Sequence, residues 1–403
     1  MGRPTRVAVI ALCLGLCVAT VLDVSGAPGA AQAQTPTHAA PQPAALLTVI
    51  SGAVLMRSAG AEFSSATDGS VLYVGSTVRT SADARAIITL FEGSTVELEP
   101  ASDITIEEAT MRGGSTIVEL AQSLGRSWHV VTHLTTADSR YEVKTPAATA
   151  SVRGTAFEVI VEDGATTVTT TEGRVATADA AATSEVLVLP DQTTTVHANS
   201  APEPPRSAPA AQRVVTVSAL SESSLVVDPL GRANGFRDGR VVAQTPGARV
   251  RMQDGTIVVT LPNVPDGVFG TTLATSAGAP VPVFTTVTDA GEEPVTVGSA
   301  AQAGDASARS GVELRTVNDK PDVRALTADE TKELPDAKVS PNKVSAPRKP
   351  GSLTGNSPTP QGASATQTTP RASDPTAPTI QPGAQPAVTP RRSELPSPPP
   401  TGR

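Results

Sequence analysis

Cysteine is nearly absent from this chain of 403 residues, which contains only Cys13 and Cys17. Both lie in one apolar stretch near the N-terminus. The rest of the chain therefore has no cysteine with which to form a disulfide scaffold, a cysteine-ligated zinc site or a thiol nucleophile.

Aromatic residues are also scarce, at 2% of the sequence, whereas the chain contains 36 prolines and 32 glycines. Aromatic side chains usually supply much of the buried surface of a core, so the cores here must rely on Val, Ile, Leu and Ala. The formal net charge is −8, and no dense basic run occurs. This composition argues against a nucleic-acid partner, which would require a clustered basic face.

The N-terminal stretch has the layout of a secretory signal peptide. Arg3 and Arg6 precede an apolar run from Val7 to Leu22, and small residues follow at Ala31-Gln32-Ala33. This order is typical of a segment that is cleaved on export. The alternative is an uncleaved anchor, although the run is shorter than the roughly 20 residues that a membrane span needs. We therefore expect an exported protein, either extracellular or in the periplasm or cell envelope.

The body of the chain reads as many short β-branched segments separated by glycine turns such as Asp163-Gly164, Asp238-Gly239 and Asp266-Gly267. This pattern predicts an all-β protein. Helical periodicity is limited to a turn or two near Glu107–Met111 and a short transient helix within Asp322–Leu334. The predicted organisation is a signal peptide at 1–33, a flexible lead at 34–45, a β domain at 46–197, a Pro-rich linker at 198–212, a small β-sandwich-like module at 213–318 and a disordered Pro/Ser/Thr-rich tail at 319–403.

The tail is predicted to be disordered because its composition buries too little apolar surface to offset chain entropy. Its basic residues Lys338, Lys343, Arg348 and Lys349 suggest a loose tether to an acidic cell wall.

The most informative segment is Tyr141–Val159, which alternates like a strand, breaks at a proline, resumes, and turns at a glycine. This segment, followed by a Glu-Gly pair, resembles the FecR domain of bacterial extracytoplasmic proteins. The residues that carry the resemblance are Thr145, Pro146, Val152, Arg153, Gly154, Thr155, Phe157, Val159, Glu172 and Gly173.

The resemblance implies a β-solenoid-like or rolled sheet for residues 46–197. The family includes inner-membrane regulators that carry a signal from an outer-membrane receptor to a sigma factor and have a cytoplasmic segment before the membrane span. Here the apolar run begins at Val7. We therefore expect a secreted, stand-alone FecR domain without the cytoplasmic anti-sigma segment.

The motif residues also have individual structural explanations, and we expect most of them to be structural. Pro146 should lie at a strand end because it cannot donate a ladder hydrogen bond. Gly154 permits a backbone conformation that is costly for other residues. Phe157 and Val159 should share one face of a strand. Arg153 could contact a ligand or partner, or its guanidinium could bind turn carbonyls.

No reactive constellation stands out. His129 and His133 lie in a strand-like run, where four residues span about 13 Å, too far for one metal ion, so we expect an exposed strand face. No Gly-x-Ser-x-Gly or phosphate-binding loop occurs. Five carboxylates are expected to form a solvated charged face; they are Glu92, Glu97, Glu99, Glu107 and Glu108. We predict no catalytic residue, no metal and no cofactor.

The resulting hypothesis is a non-enzymatic extracytoplasmic protein that binds or senses a protein or an envelope polymer. No nucleic acid is expected as a partner. Contact with the membrane is expected only through an uncleaved signal segment, if at all. One alternative is a structural component of a surface or matrix. Another is a carbohydrate-active enzyme, which would require a cleft with two carboxylates about 5 to 9 Å apart.

Overall fold

Strands make up nearly all the regular structure of the protein, as a computed structural model shows for residues 42–221, 223–253, 255–273, 281–303 and 308–339. The prediction of an all-β fold is confirmed. The described residues all belong to one compact unit. The predicted signal peptide and most of the flexible lead lie outside the described residues.

The N-terminal part of the unit contains seventeen strands. They are β1 (Ala45–Ser51), β2 (Val54–Arg57), β3 (Ser64–Ser65), β4 (Val71–Leu72), β5 (Thr77–Thr80), β6 (Arg85–Leu90), β7 (Thr95–Leu98), β8 (Asp103–Arg112), β9 (Ser115–Val130), β10 (Arg140–Lys144), β11 (Ala148–Val152), β12 (Ala156–Glu162), β13 (Ala165–Glu172), β14 (Val175–Asp179), β15 (Glu185–Val188), β16 (Gln192–His197) and β17 (Arg206–Ser207).

These strands form two sheets that share the long strand β9. In sheet A, β1 pairs with β4 and β6, and the order continues through β7, the C-terminal half of β9, β12, β13, β16 and β17. In sheet B, the order is β3, β2, β5, β8, the N-terminal half of β9, β10, β11, β14 and β15. Strand β9 changes sheets near Gly125, whose φ of +84° suits glycine.

One hydrophobic cluster lies between sheets A and B. It is rich in Val, Ile and Leu and contains two aromatic rings, Tyr141 and Phe157. On β12, Phe157 and Val159 are fully buried on the inner face, whereas Glu158 lies on the outer face. The expected sharing of one face by Phe157 and Val159 is confirmed.

The second module extends over residues 213–325, and its described residues form eleven strands. They are β18 (Arg213–Leu220), β19 (Ser224–Val227), β20 (Ala233–Arg237), β21 (Arg240–Ala243), β22 (Arg249–Gln253), β23 (Thr256–Pro262), β24 (Gly267–Leu273), β25 (Val281–Asp289), β26 (Val295–Ala303), β27 (Ala308–Val317) and β28 (Lys320–Ala325).

These strands form sheet C, in the order β22, β23, β18, β25 and β26, and sheet D, in the order β21, β20, β19, β24, β27 and β28. Strand β26 pairs with β25 along most of its length and with β27 at its end, which links the two sheets. A second hydrophobic cluster contains Val217 and Val259 of sheet C together with Phe269 and Leu314 of sheet D. The module is therefore a two-layer β structure whose main core lies between the two sheets, as the sandwich-like prediction requires.

The predicted helical turns near Glu107–Met111 are wrong, because those residues continue β8. Their charged side chains are satisfied across the sheet instead. Lys144 on β10 binds Glu107, and Arg140 on β10 lies 3.6 Å from Glu108. The run of polar residues therefore reflects an ionic outer face of sheet B.

The predicted disorder from residue 319 onward is wrong for the described part of that segment. Strand β28 pairs with β27, and helix α1 (Ala328–Lys332) follows with a capping box between Thr327 and Glu330. The short helix predicted within Asp322–Leu334 is thus only five residues long. Residues 340–403 lie outside the described residues, and the other domain boundaries remain predictions.

Part of the predicted Pro-rich linker at 198–212 belongs to sheet A. Its residues Arg206 and Ser207 form the short strand β17 and pair with Thr193 and Gln192 of β16. None of the helices in the described ranges has the length and apolar character needed to cross a membrane.

Candidate functional site

A cross-strand row of residues runs over the outer face of sheet A. The ladder registers place Glu97 opposite Trp128, Trp128 opposite Glu158, Glu158 opposite Thr169, and Thr169 opposite Thr193. Because neighbouring strands lie about 4.8 Å apart, this row is elongated across five strands. Its first two members, Glu97 and Trp128, are buried although they lie on the outer face.

The second module covers this end of the row through a buried charge cluster. Arg232 follows β19 and has only 5% of its side chain exposed. Its guanidinium donates to Asp228 at 2.7 Å and to Glu99 at 2.6 Å. Arg85 of sheet A donates to the second oxygen of Glu99 at 3.0 Å. The cluster thus joins the two modules by charge-assisted hydrogen bonds, which are stronger than neutral ones.

Glu97 is the unsatisfied member of the cluster. Its carboxylate is 3.8 Å from the Arg232 guanidinium, beyond hydrogen-bond distance, and neither oxygen has a hydrogen-bond partner among the described residues. Burial raises the pKa of Glu97 well above its ordinary value, partly offset by the charge of Arg232. The prediction of a solvated acidic face is therefore wrong for Glu97 and Glu99, whereas Glu107 is exposed and binds Lys144.

Two further polar contacts join the modules. The Trp128 indole Nε1 donates to the carbonyl of Ala243 at 2.8 Å. The Lys338 ammonium donates to the carbonyl of Val49 at 2.9 Å. Lys338 thus contacts β1 within the protein, and its role in a loose tether to a cell wall stays a prediction.

Beyond this contact the outer face of sheet A opens into a groove of about 730 Å³. Its floor includes Thr167 and Thr169 of β13 and Thr193 of β16, and its other walls come from residues 206–211 and from the second module. The hydroxyl groups of the floor belong to two neighbouring cross-strand rows. One row contains Thr169, and in the row beside it Thr167 pairs with Ile160 on one side and Thr195 on the other. We call this space the inter-module groove.

Arginines from three parts of the chain line the inter-module groove. Arg126 on β9 lies 3.4 Å from Glu158, and Arg249 on β22 binds Asp191. Arg206 is exposed, and no ion pair involves its side chain within the described ranges. Burial raises the pKa of Glu158, an effect that the charge of Arg126 opposes.

His129 lies on the inner face of sheet A and is completely buried, so the prediction that it faces solvent is wrong. Its Nε2 is 2.7 Å from the Ser127 hydroxyl, its Nδ1 is 2.9 Å from the Tyr141 hydroxyl, and its ring stacks on Phe157 with centroids 4.8 Å apart. Burial lowers the pKa of His129 to about 3. The imidazole is therefore neutral near neutral pH.

The distance between the Ser127 hydroxyl and His129 Nε2 would suit a nucleophile and its general base. The hydrogen bonds around them, however, place the protons differently from such a pair. Ser127 donates to the side-chain oxygen of Gln122 at 2.5 Å, and the Gln122 amide donates to the carbonyl of Gly125 at 2.8 Å, which fixes the amide orientation. Ser127 must then accept from His129 Nε2, and Tyr141 donates to Nδ1. With Ser127, His129 and Tyr141 all fully buried, this network stabilises the core.

Three of the family-motif residues, Gly154, Thr155 and Gly173, lie in the turns before β12 and after β13. The Gly154 φ is +128° and the Gly173 φ is +79°; a Cβ added to Gly173 would lie 2.8 Å from the Gly154 carbonyl oxygen. Thr155 donates to the carbonyl of Arg174 at 3.1 Å, tying the two turns together. Arg153 donates to the carbonyl of Ala137 in a turn, as in the structural alternative for this residue.

The other motif residues lie at strand ends or in the core. Thr145 and Pro146 occupy the turn between β10 and β11, where the Thr145 hydroxyl accepts from the amide of Ala148 at 2.9 Å. Val152 ends β11 and is buried, and Glu172 ends β13 and is exposed. Phe157 and Val159 belong to the inner core, as described above. The motif is not in the inter-module groove.

His133 is exposed in the segment after β9, away from the buried position of His129. Within the described ranges, no group of three or more His, Cys, Asp or Glu residues could hold a metal ion.

Arg232 and Asp228 were not predicted as site residues. The available signal was a pair of opposite charges four residues apart inside the otherwise apolar stretch Leu225–Arg232. Charges in such a position need a partner if the stretch is buried.

Comparison with known proteins identifies the central part of the N-terminal module. No curated protein matches the chain. Two crystal structures of a "putative anti-sigma factor from Parabacteroides distasonis ATCC 8503" match with 14% and 16% identity over 45% of this chain and 96% and 97% of theirs, each with a TM-score of 0.28. Residues 76–176 match the family described as FecR protein, and this range includes Glu97, Glu99, Trp128 and His129. The chain therefore contains a FecR domain.

Proposed function

We propose that this chain is an exported, non-enzymatic protein that binds or senses a protein or an envelope polymer through the inter-module groove. The observation that carries the proposal is that the FecR domain supplies the groove floor while the second module and residues 206–211 supply its walls. A ligand in the groove would contact both modules at once. The Arg232 cluster holds those modules together next to the groove, because Glu99 and Arg232 belong to both the cluster and the lining.

The non-enzymatic character is supported by the state of the reactive side chains. Glu99 is bound by Arg85 and Arg232, and Asp191 is bound by Arg249. Both carboxylates are therefore engaged in ion pairs with protein cations. The Ser127–His129 pair lies in the core without access to substrate.

The binding function can be tested with envelope extract and two threonine variants. Thr169→Arg places a long charged side chain on the groove floor, whereas Thr149→Arg makes the same change on the outer face of sheet B. The wild-type protein and T149R should enrich the same envelope component, and T169R should lose it. Equal enrichment by all three proteins, or none by the wild type, would contradict the proposal. Melting temperatures of the three proteins check that each one is folded.

Export is supported by the N-terminal charge and apolar pattern of residues 1–33. Cell fractionation and N-terminal sequencing of the native protein test it. The expected result is a protein in the extracytoplasmic fraction whose sequence begins after Ala33. A cytosolic protein with an intact N-terminus would contradict this part of the proposal.

A carbohydrate-active enzyme is a second candidate, because three carboxylates line the groove and only Glu99 is bound by two arginines. Burial raises the pKa of Glu158, as a general acid requires, and the nearby Glu99 carboxylate adds to that effect. Incubation with envelope polysaccharides followed by reducing-end analysis tests this candidate. Hydrolysis that is lost in Glu158→Gln would establish it, and intact polymer with all proteins would eliminate it.

A further inference from the structure

We propose that the inter-module groove binds an acidic polysaccharide whose anionic groups are sparse, with hydroxyl groups between them. The proposal rests on the binding function above and names the class of ligand. It follows from three properties of the groove: the nature of its floor, the origin of its arginines, and the carboxylates that stand among them.

The floor presents side-chain hydroxyls to the groove but few free backbone amides or carbonyls. Strands β12, β13 and β16 pair along their lengths, so the amides and carbonyls of the floor are used within the sheet. Thr169 donates to Thr193 at 3.0 Å, and the Thr167 and Thr195 hydroxyls are 3.2 Å apart. A hydroxyl has two acceptor lone pairs and one proton. Thr193 is buried and also donates to the Val168 carbonyl at 3.2 Å, so the sites left for a ligand are on Thr169 and on the pair of Thr167 and Thr195. A ligand rich in hydroxyl groups matches this floor.

A peptide matches the floor less well. Extended peptides gain affinity by pairing their backbone with a strand edge, which gives main-chain hydrogen bonds. The floor of the groove is a sheet face instead, so the amides of a peptide lying on the floor would find few partners there. Buried amides without partners are costly. Polysaccharides have no such backbone requirement.

The arginines supply the recognition of anionic groups. Arg126 comes from the FecR domain, Arg206 from the segment between the modules and Arg249 from the second module. The Arg206 guanidinium has no ion pair in the described part of the chain, and the Arg249 Nε has no hydrogen-bond partner there. Guanidinium groups bind carboxylates and phosphates in a bidentate manner. A chain with separated anionic groups can therefore contact all three segments.

The carboxylates of the groove set a limit on the charge density of the ligand. Glu158 and Asp191 lie beside Arg126 and Arg249, and the whole chain has a net charge of −8. A densely charged polyanion would be repelled by these groups. At about 0.15 M salt, screening over roughly 8 Å weakens the repulsion from distant charges more than the contact ion pairs. A ligand with sparse anionic groups can form the contact ion pairs with the arginines and avoids most of the repulsion from the carboxylates.

The test uses isothermal titration calorimetry at physiological salt with defined oligosaccharides. Hyaluronan oligosaccharides carry one carboxylate per disaccharide, N-acetylglucosamine oligomers are the neutral probe, and poly(glycerol phosphate) carries phosphate instead of carboxylate. We expect binding of the hyaluronan oligosaccharides, at least fivefold weaker binding of the neutral probe, and weak binding of poly(glycerol phosphate), because a phosphate on every glycerol makes it a densely charged polyanion. Arg206→Gln should weaken binding about fivefold, as loss of one exposed charge contact predicts.

Arg174→Gln is the matched control, because Arg174 is also exposed and without an ion pair in the described residues but lies outside the groove. It should bind like the wild type. Equal affinity for neutral and acidic sugars, an equal effect of R174Q and R206Q, or binding of poly-glutamate in preference to every sugar would overturn the inference. Envelope enrichment that is sensitive to T169R but insensitive to R206Q would leave the binding function standing and remove only the acidic-polysaccharide assignment.

Discussion

Arg232 of the second module donates a 2.6 Å hydrogen bond to Glu99 of the FecR domain, a residue 133 positions earlier in the chain. Both side chains are largely buried, at 5% and 12% exposure. Removing two charges from water is costly unless they are paired and well hydrogen-bonded. The contact therefore makes the geometry of the groove dependent on a buried ionic cluster.

Loss of Arg232 should be strongly destabilising. Arg232→Met keeps much of the side-chain volume but leaves Glu99 and Asp228 with less compensation, which predicts a loss of about 3–5 kcal/mol in the free energy of unfolding. Urea denaturation measures this loss. Arg112→Met is the matched control, since the Arg112 side chain is 71% exposed, and it should change stability by less than about 0.5 kcal/mol. Similar effects of the two variants would show that the cluster is not important for stability.

Glu97→Gln should stabilise the protein at neutral pH. The folded-state pKa of Glu97 is raised, mainly by burial. The unfolded chain therefore releases this proton at lower pH than the folded chain does, and stability falls as pH rises above about 4.5 toward the folded-state pKa. The glutamine variant has no such proton, so its denaturation midpoint should fall less between pH 5 and neutral pH than that of the wild type. Parallel pH profiles for the two proteins would contradict the assignment.

The burial of His129 predicts the opposite dependence of stability on pH, with stability falling as the pH falls. Its pKa is about 3 in the folded protein because of burial, compared with about 6.5 in an unfolded chain. The unfolded state binds the proton first as pH falls, so stability decreases from about pH 6.5 toward pH 3, by at most about 1.4 kcal/mol per pH unit. His129→Gln should have a shallower slope over this window, whatever its stability at neutral pH. An NMR titration that finds the His129 imidazolium at pH 6 would disprove the argument.

The contact between the two motif turns predicts a difference between two glycine substitutions. Gly173 and Gly164 have φ angles of +79° and +75°, but an added Cβ meets the Gly154 carbonyl oxygen at 2.8 Å only at Gly173, with nothing within 4 Å at Gly164. Both alanine variants incur the cost of the left-handed conformation, about 1–2 kcal/mol. Gly173→Ala should lose more stability than Gly164→Ala in thermal denaturation. Equal losses would show that the turns do not pack as described.

Sequence patterns predicted the strands well because alternation reports which side chains face a core. Phe157 and Val159 were placed on one face for this reason, and the structure agrees. Glu97 was misplaced because it lies on the outer face of sheet A, where alternation predicts solvent. The second module covers that face through Arg232, and local periodicity contains no information about a partner so distant in sequence.

The misplacement of His129 has a different cause. Alternation correctly places the side chains of Trp128 and His129 on the two opposite faces of β9. It does not show which of these faces belongs to the core, because both side chains are buried. The deciding contacts are the hydroxyls of Ser127 and Tyr141, which satisfy both ring nitrogens. The groove was likewise beyond prediction, because residues 206–211 and the second module form its walls through tertiary packing.

The most direct test of the account is a double-mutant cycle on Arg232→Met and Glu99→Leu, with the free energy of unfolding of all four proteins measured in urea. A pair in contact within one hydrogen-bonded network should be coupled by about 0.5–3 kcal/mol, so the double variant should be more stable than the sum of the single losses predicts. Additive losses would mean that Arg232 and Glu99 do not interact, and the two modules would then not be joined through this cluster.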